Sequence, residues 1–354
     1  MAAVDAASGA AGRAVVAFGA GAPGFIAEDA VIVAVSFILT FGRTTSWSGG
    51  PDHPVLVRYA PGEDVTMRVE IESDTPLWFG PGEPVRAASA IAAFGDGWLV
   101  AQDDATHAAW VRPGGVTAIR VIAAVDGHET FSSAEGTKHL KPDFEAAVTV
   151  DGGVLLLGSG STAARMRASL VAEPGVFTTA GLTAAYHRVA AALDIRPDQL
   201  NLEGAARIGD RLRWFQRGNS ATGVPSASVD VNLSALVAAE PAEVSGPRRY
   251  DLGAVGGVAL AVTDAVALPD GRMLVSAAAE DTPNAVDDGP VVGAAIALLD
   301  DERVLAVAPV PGGPHKIEGL AVRTAGPDGA GLIAVVDADD PLAASSRLDL
   351  RITW

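Results

Sequence analysis

A short motif that recurs five times along the chain constrains its fold more than any other feature. The five copies are anchored, in chain order, on Ser89, Glu145, Glu203, Asp264 and Glu318. In the first four copies a Gly/Asp turn begins six residues past the anchor, and an apolar run follows the turn at once. Repeats of this kind stack into one body, because a single unit cannot bury its own apolar face. The repeat therefore predicts one large domain.

Each repeat unit contains about four short apolar or alternating segments, which is the pattern of β-strands. In the fourth unit these segments are Ala261 to Leu268, Arg272 to Ala277, Gly293 to Leu299 and Val304 to Val310. Helical periodicity is confined to Thr183 to Leu193, where we expect a short helix in a loop. Four-stranded units repeated about an axis form a β-propeller. The sequence thus predicts an all-β propeller with five blades of about 57 residues. The alternative is six blades, the sixth made from residues 25 to 85.

The fifth unit reaches the end of the chain after three strands, so another segment must complete its blade. Two alternating runs, Val55 to Tyr59 and Val65 to Ile71, flank Pro61-Gly62-Glu63-Asp64 and predict a hairpin. We expect this N-terminal hairpin to supply the fourth strand and close the ring. Residues 1–50 carry no repeat signature and are predicted to form an extension, with residues 51–354 forming the propeller domain.

Composition excludes several classes of function. A formal net charge of -18 would repel a phosphate backbone, so we expect no nucleic-acid partner. The chain has no cysteine, which rules out disulfides and thiolate metal sites. Its longest apolar run, Val31 to Phe41, is far shorter than the roughly 20 residues of a membrane-spanning helix. With no recognisable signal peptide, we expect a cytoplasmic protein with no membrane partner. The oligomeric state is left open.

The propeller topology predicts where polar side chains converge. In a blade the innermost strand begins at one face of the disc and the second strand returns to that face. The loop after the second strand therefore lies beside the anchor, and this loop is polar in every unit. The five loops are Gln102 to His107, Gly158 to Thr162, Gln216 to Ser220, Glu280 to Asn284 and Asp337 to Asp340. We expect anchors and loops to meet at one mouth of the central channel.

Acidic anchors brought together in a channel need protons, basic partners or a cation. Calcium takes roughly 6 to 8 oxygen ligands and tolerates irregular geometry, which suits carboxylates delivered one per blade. The predicted ligands of a divalent metal, calcium first, are Glu145, Glu203, Asp264 and Glu318. The alternative is that these acids bind backbone amides or basic side chains and hold the blades in register.

Lysines single out the same region. Only three of the 25 basic side chains are lysine, and all three lie just ahead of anchors: Lys138, Lys141 and Lys316. An ammonium is a compact point charge, unlike a guanidinium, and can bind a developing oxyanion. We therefore predict Lys141 and Lys316 as catalytic residues. Asp103 and His107, in the first polar loop, are predicted to handle protons. The alternative is a simple Lys–Glu pairing across blades. No other cofactor site is predicted.

Several strings resemble those of an uncharacterised bacterial propeller family that is similar in style to the phytase-like or esterase-like propellers. The strings are KPDFEA, GSGST, NLEG, QRGN, TDAVALPDGR, SAAAEDT, DDGPVVG, KIEGLAV and VDADDP, and the resemblance covers about residues 86 to 354. More distantly, the chain resembles calcium-centred propellers of the gluconolactonase and paraoxonase kind, which hydrolyse lactones or phosphotriesters. That resemblance implies a calcium ion held by inner-strand acids. Ser89 departs from the pattern, since it stands where an acid is expected.

Together these features predict a metal-assisted hydrolase of a small ester, lactone, phosphoester or phosphotriester, acting at the mouth of the channel. The first alternative is a non-catalytic propeller that binds a small ligand or a protein at the same mouth. The second is a glycosidase, because two carboxyl groups on one ring could serve as acid and base.

Overall fold

Five β-sheets arranged in a ring form the body of the protein, a five-bladed β-propeller. The structure is a computed structural model. It describes residues 65–219, 222–281, 289–338, 340 and 342–354, together with the backbone of a strand at residues 55–58. The predicted extension at residues 1–50 lies outside the described residues. The prediction of five blades is confirmed, and the six-bladed alternative is wrong.

The four strands of each blade pair antiparallel and follow one another from the central channel to the rim. Blade 1 consists of Ala88–Phe94, Gly97–Gln102, His107–Arg112 and Gly115–Arg120. Blade 2 consists of Phe144–Val150, Gly153–Gly158, Arg167–Glu173 and Val176–Gly181. Blade 3 consists of Leu202–Ile208, Arg211–Gln216, Ser226–Asn232 and Val244–Asp251. Blade 4 consists of Ala261–Ala267, Met273–Glu280, Val291–Leu299 and Val304–Pro309. Blade 5 consists of Ile317–Gly326, Gly329–Val336, Ser346–Thr353 and Arg68–Pro76.

The ring closes through an N-terminal strand, as the sequence predicts. Arg68–Pro76 pairs antiparallel with Ser346–Thr353 and becomes the outer strand of blade 5. The predicted hairpin is wrong, however, because its first run goes elsewhere: Val55–Arg58 pairs parallel with Val244–Asp251, the outer strand of blade 3. The two N-terminal runs thus cover the edges of two different blades, where unpaired backbone groups are available. The predicted turn at residues 61–64 lies outside the described part.

The apolar core lies between neighbouring blades. The innermost strands of the five blades contact one another in sequence around the channel, and the last contacts the first. Between blades 2 and 3 the chain inserts helix α1 (Thr183–Leu193), as predicted, and its Tyr186 packs edge-on against Trp214. A second short helix, α2 (Leu233–Val237), follows the third strand of blade 3. Among the described residues, neither α1 nor α2 has the length and apolar character of a membrane-spanning helix, and no other helix there has them.

Short elements complete the connections. The two-stranded pairs are Trp78–Gly80 with Glu83–Pro84 and Ala254–Val255 with Val258–Ala259. The single 3-10 turns are Lys138–Leu140, Ala163–Arg165 and Pro197–Gln199. Lys141 directly follows the first of these turns and lies three residues ahead of the inner strand of blade 2.

Candidate functional site at the channel mouth

Every innermost strand carries a β-bulge near its start. In each blade one inner-strand residue has no partner on the second strand, so the pairing register shifts there. The bulge residues, from blade 1 to blade 5, are Ser89, Glu145, Glu203, Thr263 and Glu318. A bulge re-aims a side chain and is over-represented beside active sites. Four of the five sequence anchors are therefore bulge residues.

The fifth anchor, Asp264, lies one residue beyond its bulge. Thr263 occupies the bulge of blade 4, and Asp264 pairs regularly with Ser276. The Asp264 carboxyl group accepts a hydrogen bond from the backbone amide of Leu320 at 2.6 Å. Backbone hydrogen bonds from Ala205 and Ala265, both on inner strands, also lower its pKa. Asp264 therefore links the inner strands of three blades, which is the register role that the sequence left as an alternative.

The two hydroxyl bulge residues tie neighbouring blades together. Ser89 Oγ donates to the carbonyl of Phe144 at 2.5 Å, and Thr263 Oγ1 donates to the carbonyl of Ile317 at 2.5 Å. Each acceptor directly precedes the bulge residue of the next blade. The two hydroxyls therefore hold the backbone beside Glu145 and Glu318. The three remaining bulge positions carry carboxylates.

Lys141 lies between acids of two blades at the mouth. Its Nζ lies 2.5 Å from Asp103 Oδ2 and 2.5 Å from Asp143 Oδ1. Burial alone would lower the pKa of Lys141, but Asp103, Asp143 and Glu145 together raise it well above its ordinary range. The Lys141 side chain therefore stays a fixed cation that two blades share, since Asp103 belongs to blade 1.

Asp143 is held on all sides. It is only 2% exposed and adopts a left-handed backbone conformation, with φ of 59°. Its Oδ2 accepts a hydrogen bond from the Ser159 hydroxyl and lies 3.1 Å from Arg165 Nη1. Ser159 is fully buried, and its hydroxyl contacts that of Ser161 at 2.8 Å. The polar loop after the second strand of blade 2 therefore supports Asp143.

Glu145 differs from the other carboxylates of the mouth. No residue in the described part of the chain donates a hydrogen bond to it, and its side chain is only partly buried. Burial raises the pKa of Glu145 well above its ordinary value, and the charges of Asp143 and Asp103 raise it further, against the opposing effect of Lys141. Glu203 also contributes to this pKa. Glu145 is therefore an acid whose pKa lies well above its ordinary value, and its oxygens lie close to those of Asp103 and Asp143.

Glu203 forms a second charged group with the loop of its own blade. Its Oε1 accepts hydrogen bonds from Asn201 Nδ2 at 2.6 Å and from Arg217 Nη1 at 3.0 Å, whereas its buried Oε2 has no donor. Burial raises the pKa of Glu203 to about 7, with Arg217 lowering it and Glu318 raising it. Arg217 also pairs with Glu280, so it joins blades 3 and 4.

Blade 5 contributes a close pair to the same mouth. Lys316 Nζ lies 3.2 Å from Glu318 Oε1, and both residues are buried. Glu318 raises the pKa of Glu203 and Lys316 lowers it, so charged groups of blades 3 and 5 interact with one another. His107 does not take part in this interaction. Burial lowers the pKa of His107, and the charged groups that act on it are Glu129 and Arg120.

The structure brings some of the predicted site residues together and separates others. Among the described residues, one group of three acids has its oxygens within 4.8 Å of one another: Asp103, Asp143 and Glu145. It unites a predicted metal ligand, Glu145, with a predicted catalytic residue, Asp103. The other predicted ligands, Glu203, Asp264 and Glu318, do not join a group this tight in the part of the chain that the structure describes.

Sequence reasoning missed two residues that organise the mouth, Asp143 and Arg217. Asp143 lies between Lys141 and Glu145 in the string KPDFEA, and this alternation of charged residues ahead of an inner strand was a usable signal. From the sequence, Arg217 is only one member of a polar loop. Its pairing with Glu203 and Glu280 depends on contacts between distant parts of the chain.

Comparison with known proteins assigns the chain to a family. A model described as a family of unknown function, DUF6910, matches residues 137–341, more than half of the chain. The chain belongs to the DUF6910 family. This match confirms the prediction that the chain belongs to a family without an assigned function. The DUF6910 chain has a propeller fold, built from the five sheets. The finer resemblance to phytase-like or esterase-like propellers stays a prediction. No curated protein matches the DUF6910 chain.

Solved structures give weak likenesses to the DUF6910 chain. A glycosyl hydrolase from Bacteroides ovatus is 11% identical with a TM-score of 0.41, and the match covers 78% of this chain and 90% of that one. An apocarotenoid oxygenase mutant from Synechocystis is 9% identical with a TM-score of 0.30, covering 74% and 71%. Apo AztD from Citrobacter koseri is 10% identical with a TM-score of 0.25, covering 75% and 74%. Scores this low carry no argument about function.

Proposed function

We propose that the channel mouth is a hydrolytic active site for a small ester, lactone or phosphoester, with Glu145 as the proton donor. The observation that carries the proposal is the state of Glu145. It is a partly buried carboxyl group without a hydrogen-bond donor in the described part of the chain, and its pKa is raised well above the ordinary value by burial, Asp143 and Asp103. Strongly perturbed, uncommitted acids in a concave site are typical of catalytic groups.

The raised pKa of Glu145 favours the protonated form of its carboxyl group, which is the form that can donate a proton. In the proposed reaction the Glu145 carboxyl protonates the leaving oxygen as its bond to carbon or phosphorus breaks. A water molecule attacks the same atom and must lose a proton. Burial raises the pKa of Glu203 to about 7, and its Oε2 lacks a donor. We assign Glu203 as the base that takes this proton.

The lysines contribute charge and not nucleophilicity in this proposal. Burial lowers the pKa of Lys141, but Asp103, Asp143 and Glu145 together raise it well above its ordinary range. The amine therefore stays protonated. Lys141 therefore acts as a fixed cation near the developing negative charge, and Asp103 orients it. Lys316 is the corresponding cation of blade 5, paired with Glu318. His107 has no role here, because its charged neighbours are Glu129 and Arg120.

A divalent cation, calcium first, is the second part of the proposal. The oxygens of Asp103, Asp143 and Glu145 lie within 4.8 Å of one another, and calcium prefers such ligands. Bound there, the ion would supply Lewis-acid polarisation of the substrate oxygen. The Lys141 ammonium contacts two of the three carboxylates, so the ion and the ammonium compete for the same oxygens. Removing the lysine charge should therefore strengthen calcium binding.

The test is a hydrolysis panel with purified wild-type protein. The substrates are 4-nitrophenyl acetate, δ-valerolactone, a 4-nitrophenyl phosphotriester and 4-nitrophenyl glycosides, each with and without chelator, after metal analysis of the protein. We expect Glu145→Gln to lower turnover of δ-valerolactone, whose alkoxide leaving group needs a proton, by roughly 100-fold, and turnover of the 4-nitrophenyl substrates by under about fivefold. The control Glu240→Gln changes an exposed glutamate at the end of α2 and should leave the rate unchanged.

The outcomes separate the candidate functions. Turnover that survives chelation supports acid–base chemistry without calcium, whereas chelator-sensitive turnover supports the calcium proposal. Turnover of the glycosides alone favours the glycosidase alternative, in which Glu145 and Glu203 act as acid and base. No turnover of any substrate would overturn the hydrolase and leave a non-catalytic binding propeller.

A further inference from the structure

The outermost strand of blade 2, Val176–Gly181, forms an open edge of its sheet. It pairs antiparallel with Arg167–Glu173 on its inner side, and no strand in the described part of the chain pairs with its outer side. Four of its six residues are exposed, and Val176 is 54% exposed. The outward backbone N–H and C=O groups of such an edge can bind a further strand.

The outer edges of the other four blades are covered or carry charges. In blade 3 the strand Val55–Arg58 covers the edge. In blade 5 the outer strand contains four charged residues and ends at Pro76. In blade 4 every residue of the outer strand is buried or half-buried. In blade 1 Arg120 lies within the outer strand, and Arg112 donates to Thr117 of that strand at 3.3 Å. Charges, prolines and covering segments are the usual means by which proteins block an edge. Among the described outer strands, that of blade 2 alone is largely exposed and has none of them.

The edge strand of blade 2 contains no charged residue, although the chain carries a formal net charge of -18. Charges more than about 10 Å away are largely screened at physiological salt, so the charges nearest the edge matter most. The neighbouring strand supplies one of each sign, with Glu173 opposite Val176 and Arg167 opposite Gly181. When a second copy lies antiparallel to the first, the Glu173 end of each copy lies beside the Arg167 end of the other. The charges around this edge therefore favour a second copy of the same chain.

We propose that two copies of the chain pair antiparallel through this strand, about a twofold axis at Thr178. The two blades then form one continuous sheet of eight strands, four from each copy. In this register Thr178 lies opposite its own copy, and Val176 lies opposite Ala180. Phe177 lies opposite Thr179. Threonine pairs, and pairs of an aromatic with a β-branched residue, stabilise antiparallel sheets. An axis one residue further along would leave Val176 with no strand residue opposite it. The interface lies at the rim of the propeller, so it does not depend on the proposed function of the mouth.

Cysteine cross-linking tests the register directly, because the chain has no cysteine of its own. Opposite residues of antiparallel strands have Cα atoms about 4.5 to 5.5 Å apart, which suits a disulfide. Thr178→Cys should therefore form a covalent dimer when it is oxidised with copper phenanthroline. The matched control is Thr117→Cys, at an exposed threonine on the outer strand of blade 1. We expect the control to cross-link at least about tenfold more slowly.

The oligomeric state in solution is the second measurement. We expect sedimentation velocity to show a wild-type dimer that dissociates on dilution from about 100 µM to about 1 µM. Thr178→Lys puts two like charges opposite each other on the axis and should raise the Kd of the dimer by at least about tenfold. Thr117→Lys adds the same charge to the edge of blade 1 and should leave this Kd unchanged.

Three results would overturn the inference: a wild type that stays monomeric at about 100 µM, a Thr178→Lys variant that dimerises as tightly as the wild type, or equal cross-linking of the two cysteine variants. A monomer would leave the edge to another segment of the same chain or to a different protein. If Thr178→Lys does not fold, the wild-type sedimentation and the cross-linking decide. Turnover by a monomer removes only this inference, and a dimer without turnover removes only the proposed hydrolase.

Discussion

Lys141 Nζ lies 2.5 Å from Asp143 Oδ1, two residues away along the chain and directly ahead of the inner strand of blade 2. The same ammonium contacts Asp103 of blade 1, so one cation neutralises acids from two blades. Removing one partner of a buried ion pair leaves an uncompensated charge, which is more costly than losing an exposed pair. Lys141 is therefore a structural part of the mouth as well as part of the proposed site.

Replacing Lys141 tests this role. Lys141→Met keeps a long unbranched side chain but removes the charge, and we expect it to lower the free energy of unfolding by about 3 kcal/mol in urea titrations. Lys138→Met is the matched control, because Lys138 is an exposed lysine three residues earlier. An equally small loss of unfolding free energy in both variants would show that the fold tolerates Asp103 and Asp143 without the Lys141 ammonium.

Asp264 should make stability depend on pH. Burial raises the pKa of Asp264 well above 3.8, although three backbone amides oppose this. The folded state therefore binds the Asp264 proton more tightly than the unfolded state does. The stabilisation of the fold by this proton is present at low pH and is lost as pH rises through the folded pKa. Asp264→Asn keeps an acceptor for the Leu320 amide and removes the titration.

The melting temperature of wild type and Asp264→Asn, measured from pH 4 to 8, checks this prediction. We expect the wild-type value to fall more steeply with rising pH than that of the variant. The exposed Asp96→Asn should follow the wild-type curve. Parallel curves for wild type and Asp264→Asn would contradict the raised pKa.

The inner strands pack too closely for a side chain directly after the bulge of blade 3. A Cβ built on Gly204 would lie 2.8 Å from the Cα of Asp264 in the next blade. Gly204→Ala should therefore destabilise the protein by about 2 kcal/mol, measured by urea unfolding. Gly181→Ala, where a Cβ meets nothing within 4 Å, should cost far less. Similar losses in both variants would show that the ring can expand.

The Ser89 hydroxyl should contribute to the joint between blades 1 and 2. Ser89→Ala removes the donor to the Phe144 carbonyl and leaves that buried oxygen without this bond. We expect a loss of about 1 to 2 kcal/mol in unfolding free energy. Ser133→Ala, at an exposed position, serves as the control. An unchanged stability in Ser89→Ala would mean that water or another donor replaces the hydroxyl.

The sequence predicts the architecture well because the relevant signals are local. Gly/Asp turns and alternating runs recur at each unit, and each marks a hairpin within one blade. Helix α1 is predicted with the bounds that the structure gives, Thr183–Leu193. The missing fourth strand of blade 5 follows from counting strands in the last unit. Only the partner of the first N-terminal run is wrong, because nothing in that run indicates which blade edge it covers.

The candidate site is less predictable because it depends on register. Asp264 and Thr263 are neighbours in the sequence, and an acid resembles the other anchors more than a threonine does. A β-bulge decides which of the two lies at the equivalent position, and a shift of one residue turns a side chain to the other face. The pairing of Arg217 with Glu280 is likewise invisible, since the two residues belong to different blades.

The central claim is that Glu145 donates a proton to the leaving group, and leaving-group dependence tests it most directly. For a substrate class that the wild type hydrolyses, kcat/KM is measured on Glu145→Gln with a 4-nitrophenyl and an unsubstituted phenyl leaving group. A 4-nitrophenolate needs little protonation, whereas phenolate needs much more. We predict a loss of roughly 100-fold for the phenyl substrate and under about fivefold for the nitrophenyl substrate. Equal losses for both substrates, or none, would contradict the account.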